Sequence, residues 1–145
     1  MRALAGLLAS VLLAAPHVAS QEPDFSIVVG RSSPVTSVKR QELAKVFLRK
    51  ISKWSDGSDA IPVDQSARTP VRAVFTKQVL SLEGISQISA VESYWLQQVY
   101  SGRGSPPVIK SSDADVIAFV ASKPGAVGYV STQADVGSVK VLKIQ

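Results

Sequence analysis

Ser112-Asp-Ala-Asp-Val-Ile-Ala-Phe-Val-Ala-Ser-Lys-Pro-Gly-Ala-Val-Gly-Tyr-Val130 holds a helix start, a helix stop and a strand in nineteen residues. Ser112, with Asp115 three residues on, resembles a capping box. It opens a helix through Val116, Ile117, Phe119 and Val120. Lys123-Pro124-Gly125 ends that helix, because Pro cannot continue it and Gly accepts the left-handed turn that follows. Ala126 to Val130 then reads as a strand. A helix feeding directly into a strand is the repeating unit of an α/β domain.

The same alternation extends outward in both directions. Val139 to Ile144 is a final strand. Upstream, Val108 and Ile109 form a brief strand after the loop Ser101-Gly-Arg-Gly-Ser-Pro-Pro107. A helix is expected near 85–98, with Ile85, Ile88, Val91, Trp95 and Val99 as its stripe. Thr69-Pro70 starts another helix, an N-cap oxygen followed by Pro at the first helical position, and Val71, Val74, Phe75, Val79 and Leu80 keep helical spacing. Ile61-Pro62-Val63 is a short strand with Pro62 at its start or on an edge. Trp54-Ser55-Asp56-Gly57 is a turn. Ser37 is the expected N-cap of a helix near 39–49, whose Leu43, Val46 and Phe47 share one face. Phe25 to Val29 is the first strand, closed by Gly30. Strands alternating with helices predict an α/β sandwich around a largely parallel sheet.

Residues 1–20 have a different character. Arg2 is followed by an apolar run from Ala3 to Ala15, then Pro16, then Val18-Ala19-Ser20 with small side chains at −3 and −1 of a cleavage site. That is the pattern of a secretory signal peptide, and it predicts a mature chain beginning at Gln21. The competing reading, a membrane anchor, needs about 20 apolar residues, and this run is shorter. Losing Arg2 lowers the net charge from +5 to +4, a mild basicity that favours anionic partners without indicating nucleic acid.

The chain has no Cys, and its one His is His17. The domain from 21 to 145 therefore lacks thiol nucleophiles, imidazole acid–base chemistry and the usual zinc ligands. No catalytic residue, metal site or cofactor is expected. A Ser–Lys pair remains chemically open, but no motif singles one out.

Other groupings have ordinary structural explanations. Lys39, Arg40, Lys45, Arg49, Lys50 and Lys53 read as a solvated face opposite Leu43, Val46 and Phe47. A nucleic-acid surface would interleave aromatics, and Phe47 and Trp54 are better placed in the core. Trp54, Tyr94, Trp95 and Tyr100 read as core and rim rather than a stacking platform. Asp56 and Asp59 flank a turn, while Asp113 and Asp115 occupy the first turn of a helix, where the dipole favours acids. Ser66-Ala-Arg-Thr-Pro70 differs in kind: hydroxyls and an Arg before a helix start make a reasonable anion site.

Several segments in order resemble one family. They are Val46-Phe-Leu-Arg-Lys-Ile-Ser-Lys-Trp54 with Asp56-Gly57, Ile61-Pro-Val63, Val74-Phe-Thr76, Tyr100-Ser-Gly-Arg-Gly104 and Lys123-Pro-Gly-Ala-Val-Gly-Tyr129. Together they resemble the phosphate-binding proteins of ABC transporters, the PstS-like family. The resemblance implies a single lobe of a periplasmic-binding-protein-like fold, α/β, with a mostly parallel sheet flanked by helices over residues 21–145. It also implies a periplasmic location, a small oxyanion such as phosphate as ligand, and a membrane transporter or another periplasmic protein as partner.

The chain departs from that family in three ways. Full binding proteins of the family have two lobes that close on the ligand, and this chain matches the second. The family's anion clamp, counted back from Val74, falls on Gln65 to Arg72. There the clamp Arg is Gln65, the central Ser is Thr69, the next Gly is Pro70, which has no N–H to give, and the following Thr is Val71. Arg68 or Arg72 is left to compensate. Arg49 stands where the family has Gly, a residue suited to a left-handed helix end.

These readings predict a one-lobe receptor that binds a small oxyanion weakly. Arg31, Ser32 and Ser33 would line one side of the site, and Ser66, Arg68 and Thr69 the other, all at carboxyl ends of strands, where open α/β sheets hold ligands. The alternative is a lobe that has lost its ligand and serves as an interaction module, binding a protein partner or a second copy.

Overall fold

The computed structural model of the protein describes residues 14–16 and 24–145. The signal-peptide reading of residues 1–20 falls outside them, apart from 14–16. The elements in chain order are β1 (Phe25–Val29), β2 (Ser37–Val38), α1 (Arg40–Phe47), β3 (Ile61–Gln65), α2 (Pro70–Gln78), a 3-10 turn (Leu80–Glu83), α3 (Ile88–Tyr100), β4 (Val108–Lys110), α4 (Asp113–Ser122), β5 (Ala126–Ser131) and β6 (Lys140–Ile144).

The strands form one sheet in the order β2-β6-β1-β5-β3-β4. β2 with β6, β5 with β3, and β3 with β4 pair in parallel, while β1 is antiparallel to both β5 and β6. Five strands therefore share a direction and β1 alone opposes them. The expected mostly parallel sheet is met, with its exception at the centre.

Both faces of the sheet are covered, which is why β1 and β5 are nearly continuous apolar runs. On one face Phe25, Ile27, Val29, Val127, Tyr129 and Leu142 pack against α1, α2, α3 and the 3-10 turn. Phe75 sits at the centre of this layer. Its ring stacks on Tyr129 at 3.9 Å and contacts Phe25 and Phe47. On the other face Val28, Val63 and Val130 meet Val116, Ile117 and Val120 of α4. α4 packs tightly over Gly128: a Cβ there would lie 2.5 Å from Val116 Cγ1.

Local differences from the sequence reading have clear causes. Ser37 is not a helix cap, because β6 recruits Ser37 and Val38 into a parallel pair with Lys143 and Ile144. The cap of α1 is Lys39, which makes no side-chain bond to the helix. α1 stops at Phe47, and Arg49 is the one non-glycine residue with positive φ (54°) among the described residues. Lys45 and Arg49 thus do not share a helix face; Arg49 occupies the left-handed position that the family resemblance assigns to Gly. Thr69 does precede α2 with Pro70 at its first position, but its hydroxyl donates to Ser66 O at 2.8 Å rather than capping the helix. Ser112 caps α4 as expected, accepting from Asp115 N at 3.1 Å. Trp54 and Phe47 are buried in the core. Val99 is exposed, because α3 buries only Val91 and Trp95. No helix among the described residues is long and apolar enough to cross a membrane.

Candidate functional site

The direction of β1 decides which residues can share a site. Val29 lies level with Val127, and Val127 with Pro62, while Phe25 lies level with Ser131. Gly30 to Ser33 therefore leave the sheet at the end where β3 begins. Ser66 to Thr69 leave it at the end where β3 finishes. At about 3.3 Å per residue the two loops are separated by roughly 16 Å or more, too far for one small oxyanion to touch both. Arg31, Ser32 and Ser33 follow the carboxyl end of a strand, as expected, but that strand runs the opposite way. They do not form the other wall of a site with Ser66, Arg68 and Thr69.

At their own end, Arg31, Ser32 and Ser33 line an open cleft of about 500 Å³ with Ser58, Asp59 and the end of α4. Arg31 donates to Gly137 O and Lys140 to Ser33 O, which ties this loop to the segment before β6.

At the opposite end the starts of α2 and α4 converge on a pocket of about 360 Å³. Gln65, Thr69, Pro70, Val71, Ser112, Asp113, Ser131 and Gln133 line it. Two helix N-termini present unpaired N–H groups and the positive ends of two dipoles. Pro70 subtracts one donor from α2. Ser66 and Thr69 are half-buried beside the pocket. Arg68 is exposed, and its guanidinium has no hydrogen-bond or ion-pair partner among the described residues.

Beneath the pocket lies a polar network that the sequence reading did not assemble. Asp64 is buried and accepts from the Tyr129 hydroxyl, from Gln65 N at 2.8 Å and, as an ion pair, from Arg72 Nη2 at 3.4 Å. Arg72 therefore points inward and is not available to replace a clamp Arg. Gln65 is fully buried. Its amide nitrogen donates to Asp113 Oδ1 at 2.8 Å and to Tyr129 O at 2.9 Å. Asp113 also accepts from Ser131 N at 3.2 Å and Ser131 Oγ at 2.5 Å, so it does more than complement a helix dipole. Two buried atoms of the network have no partner, Gln65 Oε1 and Arg72 Nε. Burial first, and the Asp64 charge next, push the Tyr129 phenol far above its ordinary range. The sequence signal for this network was faint: Asp64 and Gln65 end an apolar strand with two polar side chains. Among the described residues no group of three or more His, Cys, Asp or Glu is placed to hold a metal.

A family model described as a PBP superfamily domain matches residues 23–142. Comparison with curated proteins finds no match. Among solved structures, an ABC-type phosphate transport receptor from Vibrio cholerae aligns with a TM-score of 0.61 at 20% identity, covering 83% of this chain and 46% of that one. A phosphate ABC transporter substrate-binding protein from Clostridium perfringens, with bound phosphate, aligns at 0.59 and 15% identity, covering 83% and 44%. PstS from Borrelia burgdorferi aligns at 0.60 and 12% identity, covering 84% and 47%. The chain spans less than half the length of each, and the likeness at these identities is one of fold.

Proposed function

The chain belongs to the PBP superfamily, and from that premise we propose that it is an exported solute-binding lobe that takes a small oxyanion such as phosphate. The ligand sits in the pocket between the starts of α2 and α4, with Ser66, Arg68 and Thr69 at its edge. The observation that carries this reading is the convergence of two helix N-termini beside an unpaired Arg68, an arrangement suited to an anion. The structural neighbours, a phosphate transport receptor and a substrate-binding protein with bound phosphate among them, support the ligand class.

Binding is weak in this reading. A lone lobe leaves the ligand facing water, Pro70 gives no N–H, and Gln65 supplies no charge. Each lost charge-assisted bond costs about 1.5–3 kcal/mol. The role is in phosphate uptake or sensing, with a membrane transporter or another periplasmic protein as partner. Residues 1–20 act as the signal that delivers the chain to the periplasm. The lobe binds and does not catalyse, in keeping with the lack of His and Cys in residues 21–145. Calorimetric titration with phosphate and then sulfate, at low salt, tests the reading. The protein is recovered from the periplasm after expression with residues 1–20 in place. Saturable heat supports it, and no heat at millimolar anion overturns it.

A second reading rests on α3. Leu96, Val99 and Tyr100 are 61%, 53% and 84% exposed on one side of that helix. Glu92 is the only charged residue from Gly84 to Gly102. An exposed face of this kind, apolar but for Glu92 one turn before Leu96, marks an interaction surface. A lobe that had lost its ligand would use it for a protein partner or a second copy. The oligomeric state with and without phosphate separates the readings: a monomer that captures no envelope protein counts against the interaction module.

A further inference from the structure

Ser89, Glu92, Leu96, Val99 and Arg103 follow one another at intervals of three, four, three and four. That is the spacing of a two-helix seam, which repeats about every 3.5 residues. The first four lie on α3, and all five are exposed. α3 turns its other side inward through Val91 and Trp95. The Tyr94 hydroxyl donates to Leu48 O at 2.8 Å, which fixes the roll of the helix. Gly102 (φ 68°) closes its end: Gly102 N donates to Val99 O at 3.1 Å and Arg103 N to Gln98 O at 3.0 Å. This Schellman closure ties Arg103 to the last turn. The ion pairs among the described residues join Lys50 to Glu83, Lys53 to Asp59 and Arg72 to Asp64. Among those residues, then, Glu92 and Arg103 bracket Leu96 and Val99 with two opposite, unpaired charges.

We propose that α3 is a homodimer seam, on which a second copy of this chain lays its own α3 antiparallel. A two-fold axis between Gln97 and Gln98 sets Leu96 opposite the partner's Val99 and Glu92 opposite the partner's Arg103, each twice. A parallel pair would set Glu92 against Glu92 and Arg103 against Arg103, and like charges so placed repel. A protein of another kind would have to supply both charges in reverse order; a second copy has them by symmetry. Tyr100 flanks the seam with a large exposed ring, a residue type enriched at interfaces. α3 has 13 residues, a length of about 20 Å, so the contact belongs to the small class, below about 1,200 Å². The dimer is accordingly weak and depends on concentration. It names the occupant of the α3 face and rests on the interaction reading above. None of the seam residues lines the pocket between α2 and α4, so pairing is separate from anion binding.

Sedimentation equilibrium of the periplasmic protein, from about 10 μM to about 1 mM, should show monomer passing into dimer. Leu96→Lys changes an exposed position, so it should keep the fold, checked by thermal melt, and abolish the dimer. Glu92→Arg alone and Arg103→Glu alone each turn two attractions into two repulsions, and each should weaken self-association about tenfold. An equimolar mixture of those two variants should pair again, because one chain then carries both positive ends and the other both negative. A monomer throughout, a dimer that survives Leu96→Lys, or a mixture that associates no better than its components overturns the proposal. An envelope protein captured through Leu96 by a chain that stays monomeric overturns it too, and leaves the interaction module standing. Neither dimer nor capture overturns both, while the heat of phosphate binding is read independently of either.

Discussion

Arg72 and Asp64 form an ion pair at 3.4 Å with both side chains nearly sealed from water. A buried pair of this kind is costly to break from one side, because the remaining charge has no compensation, and much less costly to remove as a unit. Arg72→Met should destabilise the fold by about 3–5 kcal/mol. Asp64→Asn keeps an acceptor for Tyr129 while removing the charge. The double variant should therefore fall short of the summed single losses by about 1 kcal/mol or more. Urea denaturation of the four proteins measures this; strict additivity would show that the two charges do not act as a pair.

Tyr129 carries a pH dependence of its own. Burial, then the Asp64 charge, hold its phenol far above the 10.0 of a free tyrosine. The folded state keeps the proton where the unfolded state releases it. The contribution is complete below pH 10 and is lost as pH rises beyond it, at about 1.4 kcal/mol per pH unit. Tyr94, raised mainly by burial as well, adds to the alkaline slope. Tyr129→Phe should lower stability at pH 7 and flatten the slope between pH 10 and 11.5. An unchanged slope would refute the assignment.

Arg49 pays the cost of a left-handed backbone without being Gly. Arg49→Gly removes a Cβ penalty of about 1 kcal/mol, against the loss of one exposed 3.4 Å bond to Ser105 O. The expected result is a Tm a few degrees higher. A lower Tm would mean that the Arg side chain holds the loop before β4 more firmly than that bond implies.

Gly128 is fixed by packing rather than by backbone conformation. Gly128→Ala would set a methyl 2.5 Å from Val116 Cγ1 and 2.9 Å from Val63 Cγ1, a strain of about 1–3 kcal/mol. Val116→Ala alone leaves a cavity, so the double variant should be less damaged than the sum of the singles. Thermal melts decide the matter.

Arg68→Ala should weaken phosphate binding about tenfold, the loss of one charge-assisted contact. Its exposure predicts little change in stability. Unchanged affinity would exclude Arg68 from the site.

Much of the fold was legible in the sequence because local signals agreed with the global arrangement. Phe25 to Val29, Ile61 to Val63 and Ala126 to Val130 announced strands, Thr69-Pro70 and Ser112 announced helix starts, and Lys123-Pro-Gly125 announced a stop. The sense of β1 was not legible, since a strand's direction depends on partners a hundred residues away. That one sign separated Arg31, Ser32 and Ser33 from Ser66, Arg68 and Thr69. Ser37-Val38 was too short to read as a strand, and its Ser made a plausible cap. The apolar stripe placed on α3 extended to Val99 because spacing cannot tell how wide a partner surface is. Asp64, Gln65, Arg72, Asp113 and Tyr129 were each visible as residues, but their network exists only once β3, β5, α2 and α4 are packed.

β1 lies between β5 and β6, so the earliest strand among the described residues is completed by the two latest. Ile27 waits for Tyr129 and Leu142 to arrive before it has a neighbour on either side. Contacts this distant in sequence carry a large loop-closure cost and slow folding. The central seam of the sheet therefore closes only once β5 and β6 are in place, which makes it a late step of folding.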